Sequence, residues 1–202
     1  MPLISVINYG VGNLRSVKKG LERTGAKVRI ACNLRDIHEA DAIVLPGVGA
    51  FSVAINNLNS LSYVLRQFIE EGKQLLGICL GLQLLFTKSS EGGSIDGLNL
   101  ISGDIVKLPE RVKIPQIGWN TVKFVKPHPL LEGIKDNSYF YFAHSYIPQP
   151  LEKEVIIATT EYGMRFPSVV AKQNVFATQF HPEKSSKTGL TILKNFVKET
   201  RR

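Results

Sequence analysis

The amino-acid sequence predicts an α/β fold: a central, largely parallel mixed sheet with helices on both faces, and a small antiparallel sheet beside it. Three observations carry this. From Leu3 to Phe86, short β-branched runs alternate with stretches of helical periodicity, the pattern of successive βα units. Leu75 to Ile78 is wholly apolar, as a strand buried on both faces of a parallel sheet must be. From about Leu98 onward, short strand-like runs follow one another without intervening helices, which suggests hairpins joined to a mixed sheet.

Taken in order, Leu3 to Asn8 reads as the first strand, followed by the Gly-rich turn YGVGN and an amphipathic helix from Leu14 to about Thr24. Asn13 is its expected N-cap and Gly25 its stop. Lys27 to Ile30 is a second strand, Leu34 to Glu39 a helical turn capped by Asn33, and Ala42 to Leu45 a third strand ending abruptly in PGVGAF. Helical pattern resumes from Ser52 to Glu70, the fourth strand follows, and Leu80 to Phe86 holds helix formers. The later strands are expected at Ile105–Leu108, Val122–Val125, Tyr139–Phe142, Val155–Thr160, Val169–Ala171 and Val175–Gln179. Thr188 to Glu199 closes the chain as a helix with Leu190, Leu193, Phe196 and Val197 on its apolar side.

A length of 202 residues suits one domain over residues 1–202, with a core large enough to need no disulfide or metal. Apolar residues at 44% and charged ones at 21% argue against disorder. No apolar stretch approaches the length of a membrane span, and MPLISVINYG begins a strand at once rather than a signal peptide, so a cytoplasmic protein with no membrane partner is expected. Cys32 and Cys79 lack metal or disulfide spacing, and both are read as free thiols, with no metal or organic cofactor expected. The net charge of +8 comes from 25 Lys and Arg against 17 Asp and Glu. These bases are dispersed (Arg15, Lys18, Lys19, Arg23, Lys194, Lys198, Arg201, Arg202) without stacking aromatics, which disfavours nucleic acid and favours a solvated face or an acidic partner.

Gly77-Ile78-Cys79-Leu80-Gly81 has the form of a nucleophile elbow between strand and helix, with Cys in the reactive position. The glycines allow close approach of neighbouring backbone, and the amides opening the following helix favour a negatively charged sulfur. Acyl transfer then needs a base, a group to orient it and donors for the oxyanion. Of the four histidines, His38 falls in a polar turn, His128 between two prolines and His144 after an aromatic strand. His181 ends an apolar strand, the place where α/β sites collect, and Glu183 lies two residues on.

GICLGLQ together with FHPE resembles the triad class of glutamine amidotransferase domains, a flavodoxin-like fold, over nearly the whole chain. Within that class NYGVGNLRSV, LPGVGAF, PQIGWN and FAHSY look like the glutaminase subunits of imidazole glycerol phosphate synthase. The resemblance implies that Cys79 attacks the side-chain amide of L-glutamine, that His181 relays protons and that Glu183 orients it. It implies an oxyanion hole from the backbone of Val48 and Leu80, shaped by Gly47 and Gly49, and a glutamine pocket that includes Gln83, His144 and Ser145. It also implies a partner, a (β/α)8-barrel cyclase that uses the ammonia in histidine biosynthesis, met near Asn13, Trp119, Tyr141 and Lys184. The glutaminase of pyridoxal phosphate synthase is disfavoured because its family carries a GGES-like turn and a CAG context. The chorismate-dependent glutaminases are disfavoured because Leu82, not His, precedes Gln83. A cysteine peptidase or a chaperone on a similar sheet explains neither Gln83 with HPE nor the N-terminal motif.

Overall fold

The computed structural model describes residues 1–10 and 12–200; Val11, within the Gly-rich turn, and the basic pair Arg201 and Arg202 lie outside the described residues. The first half runs β1 (Leu3–Ile7), α1 (Leu14–Glu22), β2 (Lys27–Ala31), α2 (Leu34–His38), β3 (Ala42–Leu45), α3 (Phe51–Leu58), α4 (Ser62–Glu70), β4 (Gln74–Ile78) and α5 (Leu80–Leu84). The second half runs β5 (Phe86–Ser89), β6 (Ile95–Asp96), β7 (Ile101–Lys107), β8 (Gln116–Phe124), β9 (Ser138–His144), β10 (Tyr146–Pro150), β11 (Ile156–Glu161), β12 (Arg165–Lys172), β13 (Val175–Thr178) and α6 (Ser186–Glu199).

Nine strands form one mixed sheet in the order β2-β1-β3-β4-β13-β12-β11-β8-β9, and four form a second in the order β10-β7-β5-β6. The large sheet is parallel from β2 to β13 and antiparallel from β13 to β9. The small sheet is itself mixed rather than wholly antiparallel, because β5 and β7 run parallel. Two apolar layers cover the faces of the large sheet: α1 and α6 contribute Val17, Leu21, Ile192, Leu193 and Phe196 to one, while Ile37, Phe51, Leu58, Leu65 and Phe68 of α2, α3 and α4 fill the other. Leu75, Leu76 and Ile78 of β4 are fully buried between them, each contributing about 1.5–3 kcal/mol. That burial fixes the strand on which the elbow is mounted.

Local sequence explains where elements end. Asn33 accepts from the Asp36 amide at 3.0 Å and caps α2, whereas Asn13 occupies the N-cap position of α1 with no capping bond from its side chain. The expected helix from Ser52 to Glu70 is broken at NNLNS by a 3-10 turn at Asn59–Leu61, where the Ser62 hydroxyl donates to the Asn59 carbonyl. The helix after the elbow stops at Leu84 because Phe86 enters β5 and pairs with Ile101. On α6 the buried side is Ile192, Leu193, Phe196 and Val197, and Leu190 is only half-buried. Among the described residues no helix is long and apolar enough to cross a membrane.

Candidate active site

Cys79 is the junction of β4 and α5, at φ 53° and ψ −103°, a conformation that costs a non-glycine residue about 1–3 kcal/mol. Its amide donates to the Thr178 carbonyl at 2.8 Å and its carbonyl accepts from the Gln83 amide at 3.1 Å, so both neighbouring elements hold the turn. Close packing explains the flanking glycines. A Cβ on Gly81 would lie 1.9 Å from the Leu45 carbonyl oxygen, and one on Gly77 would lie 2.8 Å from the Gly81 carbonyl oxygen. The thiol lies 3.6 Å from the Ala143 carbonyl oxygen and 3.7 Å from the Gln179 side-chain nitrogen.

His181 is delivered by β13, whose pairing with β4 sets Thr178 beside Ile78. The segment Pro182–Lys184 is a 3-10 turn rather than extended chain, yet His181 and Glu183 meet. Nδ1–H of the imidazole donates to Glu183 Oε1 at 2.9 Å, and both side chains are 1% exposed. Burial pulls the His181 pKa down, but the negative charges and hydrogen bonding of Cys79 and Glu183 outweigh it and raise it well above its ordinary value. The other ring nitrogen, Nε2, has no nitrogen or oxygen partner among the described residues and is left to the sulfur and to substrate. Ser185 ties this turn to β9, its hydroxyl donating to the His181 carbonyl at 2.6 Å and accepting from the Tyr141 amide at 2.9 Å.

A cavity of about 250 Å³ opens over the sulfur, lined by Val48, Gly49, Cys79, Leu80, Gln83, His144 and Ser145, all singled out in the sequence. Gly47 lies beneath it against α5, where a Cβ would fall 2.4 Å from Leu80 Cβ. Gln83 is buried and its amide donates to the Tyr146 carbonyl at 3.0 Å, so one of its polar ends is used structurally. Trp119, Tyr141 and Lys184 are also brought together. Trp119 meets Tyr141 edge-to-face at 6.1 Å, and the Lys184 ammonium stands 5.8 Å over the Tyr141 ring. Asn13 is not hydrogen-bonded to this cluster; it starts α1, whose Gly20 packs on Glu183.

Three residues at the site escaped sequence reasoning. Glu91, the one carboxylate lining the cavity among the described residues, follows β5 and accepts from the Phe51 amide at 3.3 Å; burial raises its pKa. Tyr9 is buried and donates its hydroxyl to the Pro46 carbonyl, just before Gly47; burial, then the charge of Cys79, push its phenol far above the ordinary range, so it stays a donor. Gln179 is wholly buried beside the sulfur. A polar residue inside an apolar strand end is the one signal that pointed to it.

His144 is also deeper than an aromatic strand end suggests. Its Nδ1–H donates to the Tyr146 carbonyl at 2.9 Å, and burial lowers its pKa to about 4. The unfolded chain therefore takes up a proton near pH 6.5 that the folded protein refuses until about pH 4. The associated stability is whole above pH 6.5 and is lost as pH falls toward 4, on the order of 3 kcal/mol. Denaturant unfolding across that window is expected to show this acid limb in the native protein and a flatter one in His144→Gln.

The chain matches the family "Glutamine amidotransferase class-I" over residues 5–200. It is a class-I glutamine amidotransferase. Relatives of this amidotransferase include "Imidazole glycerol phosphate synthase subunit HisH" of Caldanaerobacter subterraneus subsp. tengcongensis, 50% identical over 196 residues, covering 96% of this chain and 97% of the relative. The protein of the same name from Methanocaldococcus jannaschii is 50% identical over 195 residues, covering 96% and 98%. At that similarity the amidotransferase belongs with the HisH subunits. Its fold is shared by a solved structure of PurLQS from Thermotoga maritima, with TM-score 0.79 at 17% identity and 98% of each chain covered. A solved structure of a putative GMP synthase protein from Thermoplasma acidophilum aligns with TM-score 0.74 at 20% identity, covering 100% of this chain and 94% of that one.

Proposed function

We propose that the described cavity binds L-glutamine and that Cys79, His181 and Glu183 cleave it. The enzyme hydrolyses L-glutamine to L-glutamate and ammonia, supplying imidazole glycerol phosphate synthase in histidine biosynthesis. One observation carries the assignment of roles: a fully buried His181–Glu183 pair beside a strained, glycine-flanked cysteine at the base of a small cavity. Cys79 Sγ adds to the side-chain amide carbon, and the oxyanion is received by the amides of Val48 and Leu80, the latter an N-terminal helix amide without an intrahelical acceptor. His181, its tautomer fixed by Glu183, protonates the departing ammonia. Water then takes the place of ammonia, His181 accepts its proton, and the thioester is hydrolysed. Glu91 is the natural counter-ion for the substrate ammonium, while Gln83, His144 and Ser145 shape the amino-acid end.

The ammonia acceptor is a cyclase subunit with a (β/α)8 barrel, in a cytoplasmic heterodimer. Support comes from the outer face of β8 and β9, where Ile117, Trp119 and Tyr139 are exposed beside Tyr141 and Lys184. Ile117 also lines the cavity, so this aromatic patch continues into the glutamine site. Asn13 completes the proposed contact. Glutamate release is expected to be slow from this chain alone and to rise when the cyclase and its ribonucleotide substrate are added. Equal turnover with and without them removes the coupling, and activation by an unrelated ammonia acceptor in their place removes the pathway.

A further inference from the structure

Gln179 is a fully buried carboxamide that reaches the reacting atom. The parallel register that places Thr178 beside Ile78 brings residue 179 level with residue 79, and the Gln179 amide donates to the Ala143-facing sulfur of Cys79 over 3.7 Å. Its backbone is pinned separately, the amide donating to the Ser168 carbonyl at 2.9 Å. Its side chain is 0% exposed, and Oε1 has no hydrogen-bond partner among the described residues. Gln74 and Gln116 also leave Oε1 without a partner among the described residues, so what sets Gln179 apart is where its N–H goes. Here the satisfied end is the one on sulfur.

The surroundings of the sulfur give that bond a purpose. A thiol donates its proton to the Ala143 carbonyl at 3.6 Å, but a thiolate meets the same oxygen as the negative end of a dipole. His181 approaches as a cation whose charge the sulfur itself supports. Whenever the sulfur is an anion, before attack and after the C–S bond breaks, the Ala143 carbonyl offers it nothing, and a second donor beside the imidazolium is supplied by Gln179. We infer that Gln179 is a catalytic residue of the glutaminase reaction, its side-chain N–H stabilising the Cys79 thiolate before attack and again as the leaving group of thioester hydrolysis.

In that second step water forms the new C–O bond and gives its proton to His181. The C–S bond breaks, its electron pair returns to sulfur, and glutamate leaves. The regenerated thiolate stands between imidazolium and the Gln179 amide, so charge is never left without a donor. The contribution is that of a hydrogen bond to a charged partner, roughly tenfold or more in rate.

This inference rests on Cys79 being the nucleophile, and the test separates the two. In a Cys32→Ser background, which removes the other free thiol, Gln179→Met keeps the side-chain length without the N–H. Iodoacetamide alkylation of Cys79 at neutral pH is expected to slow about tenfold, the deficit closing in alkaline buffer, and kcat in the assembled synthase to fall about tenfold with KM for glutamine unchanged. Gln179→Glu, isosteric but anionic, is expected to be slower than both the parent and Gln179→Met at neutral pH; if the methionine variant fails to fold, the comparison of Gln179→Glu with the parent decides. Unchanged alkylation profile and kcat in the variant that folds overturn the role of Gln179. Undiminished glutaminase in Cys79→Ala overturns the nucleophile itself.

Discussion

Replacing Cys79 with alanine is expected to lower glutamate release by at least about four orders of magnitude, because every covalent step of the reaction passes through that sulfur. The protein is expected to fold. The side chain faces the His181 imidazole and makes long polar contacts at 3.6 and 3.7 Å, and the strained backbone at this position is held by Thr178 and Gln83 through main-chain bonds that alanine keeps. The loss should be confined to glutamine-dependent turnover. With ammonium salt supplied in its place, the assembled synthase is expected to run at its usual rate, since the cyclase meets ammonia from either source. A variant retaining more than about one hundredth of its glutaminase activity would assign the chemistry to another group, since losing a nucleophile costs far more than that.

Gly81→Ala is expected to cost more than about 4 kcal/mol of stability, the range reserved for a named steric or packing failure. The added Cβ would stand 1.9 Å from the Leu45 carbonyl oxygen and 2.8 Å from its carbon, both backbone atoms of β3. Neither can rotate away. Relief requires β3 and α5 to separate, and β3 is held to β4 along its length from Ala42 to Leu45. For a chain of this size the thermal midpoint should fall by roughly 8–16 °C. Gly72→Ala is the control: it has a positive φ, 80°, but a Cβ there meets nothing within 4 Å, so only the backbone term of about 1 kcal/mol applies. Comparable melting of the two variants would show that the elbow has slack.

Much of the parallel half was legible because its signals are local. Leu75–Ile78 could be nothing but a buried strand, and the glycines around Cys79 announced a turn that only glycine tolerates. His181 and Glu183 were legible from two residues at a strand end. What stayed hidden depends on contacts between distant segments. No strand was expected at β10, which carries Pro148 and Pro150; these sit on the outer strand of the small sheet, the place where a missing N–H does least harm. Glu91 reads as a solvated charge until β5 folds back and places it at the start of α3. Tyr9 reads as turn aromatic until Pro46 arrives beside it. Gln179 differs from its apolar neighbours only in being polar, and nothing local says that the sulfur lies across the next strand.

The placement of β13 between β4 and β12 has a consequence for how the protein is made. Cys79 emerges from the ribosome long before residues 175–183, which supply both the neighbouring strand and the base. Until then β4 is an unpaired edge on the side that β13 will occupy, and the cysteine has no imidazole beside it. A nascent or prematurely terminated chain is therefore a sticky sheet margin carrying an idle thiol, exposed to wrong pairing but unable to consume glutamine. Synthesis of residues 175–183 closes the sheet and assembles the catalyst in a single event, at the cost of slow, long-range pairing.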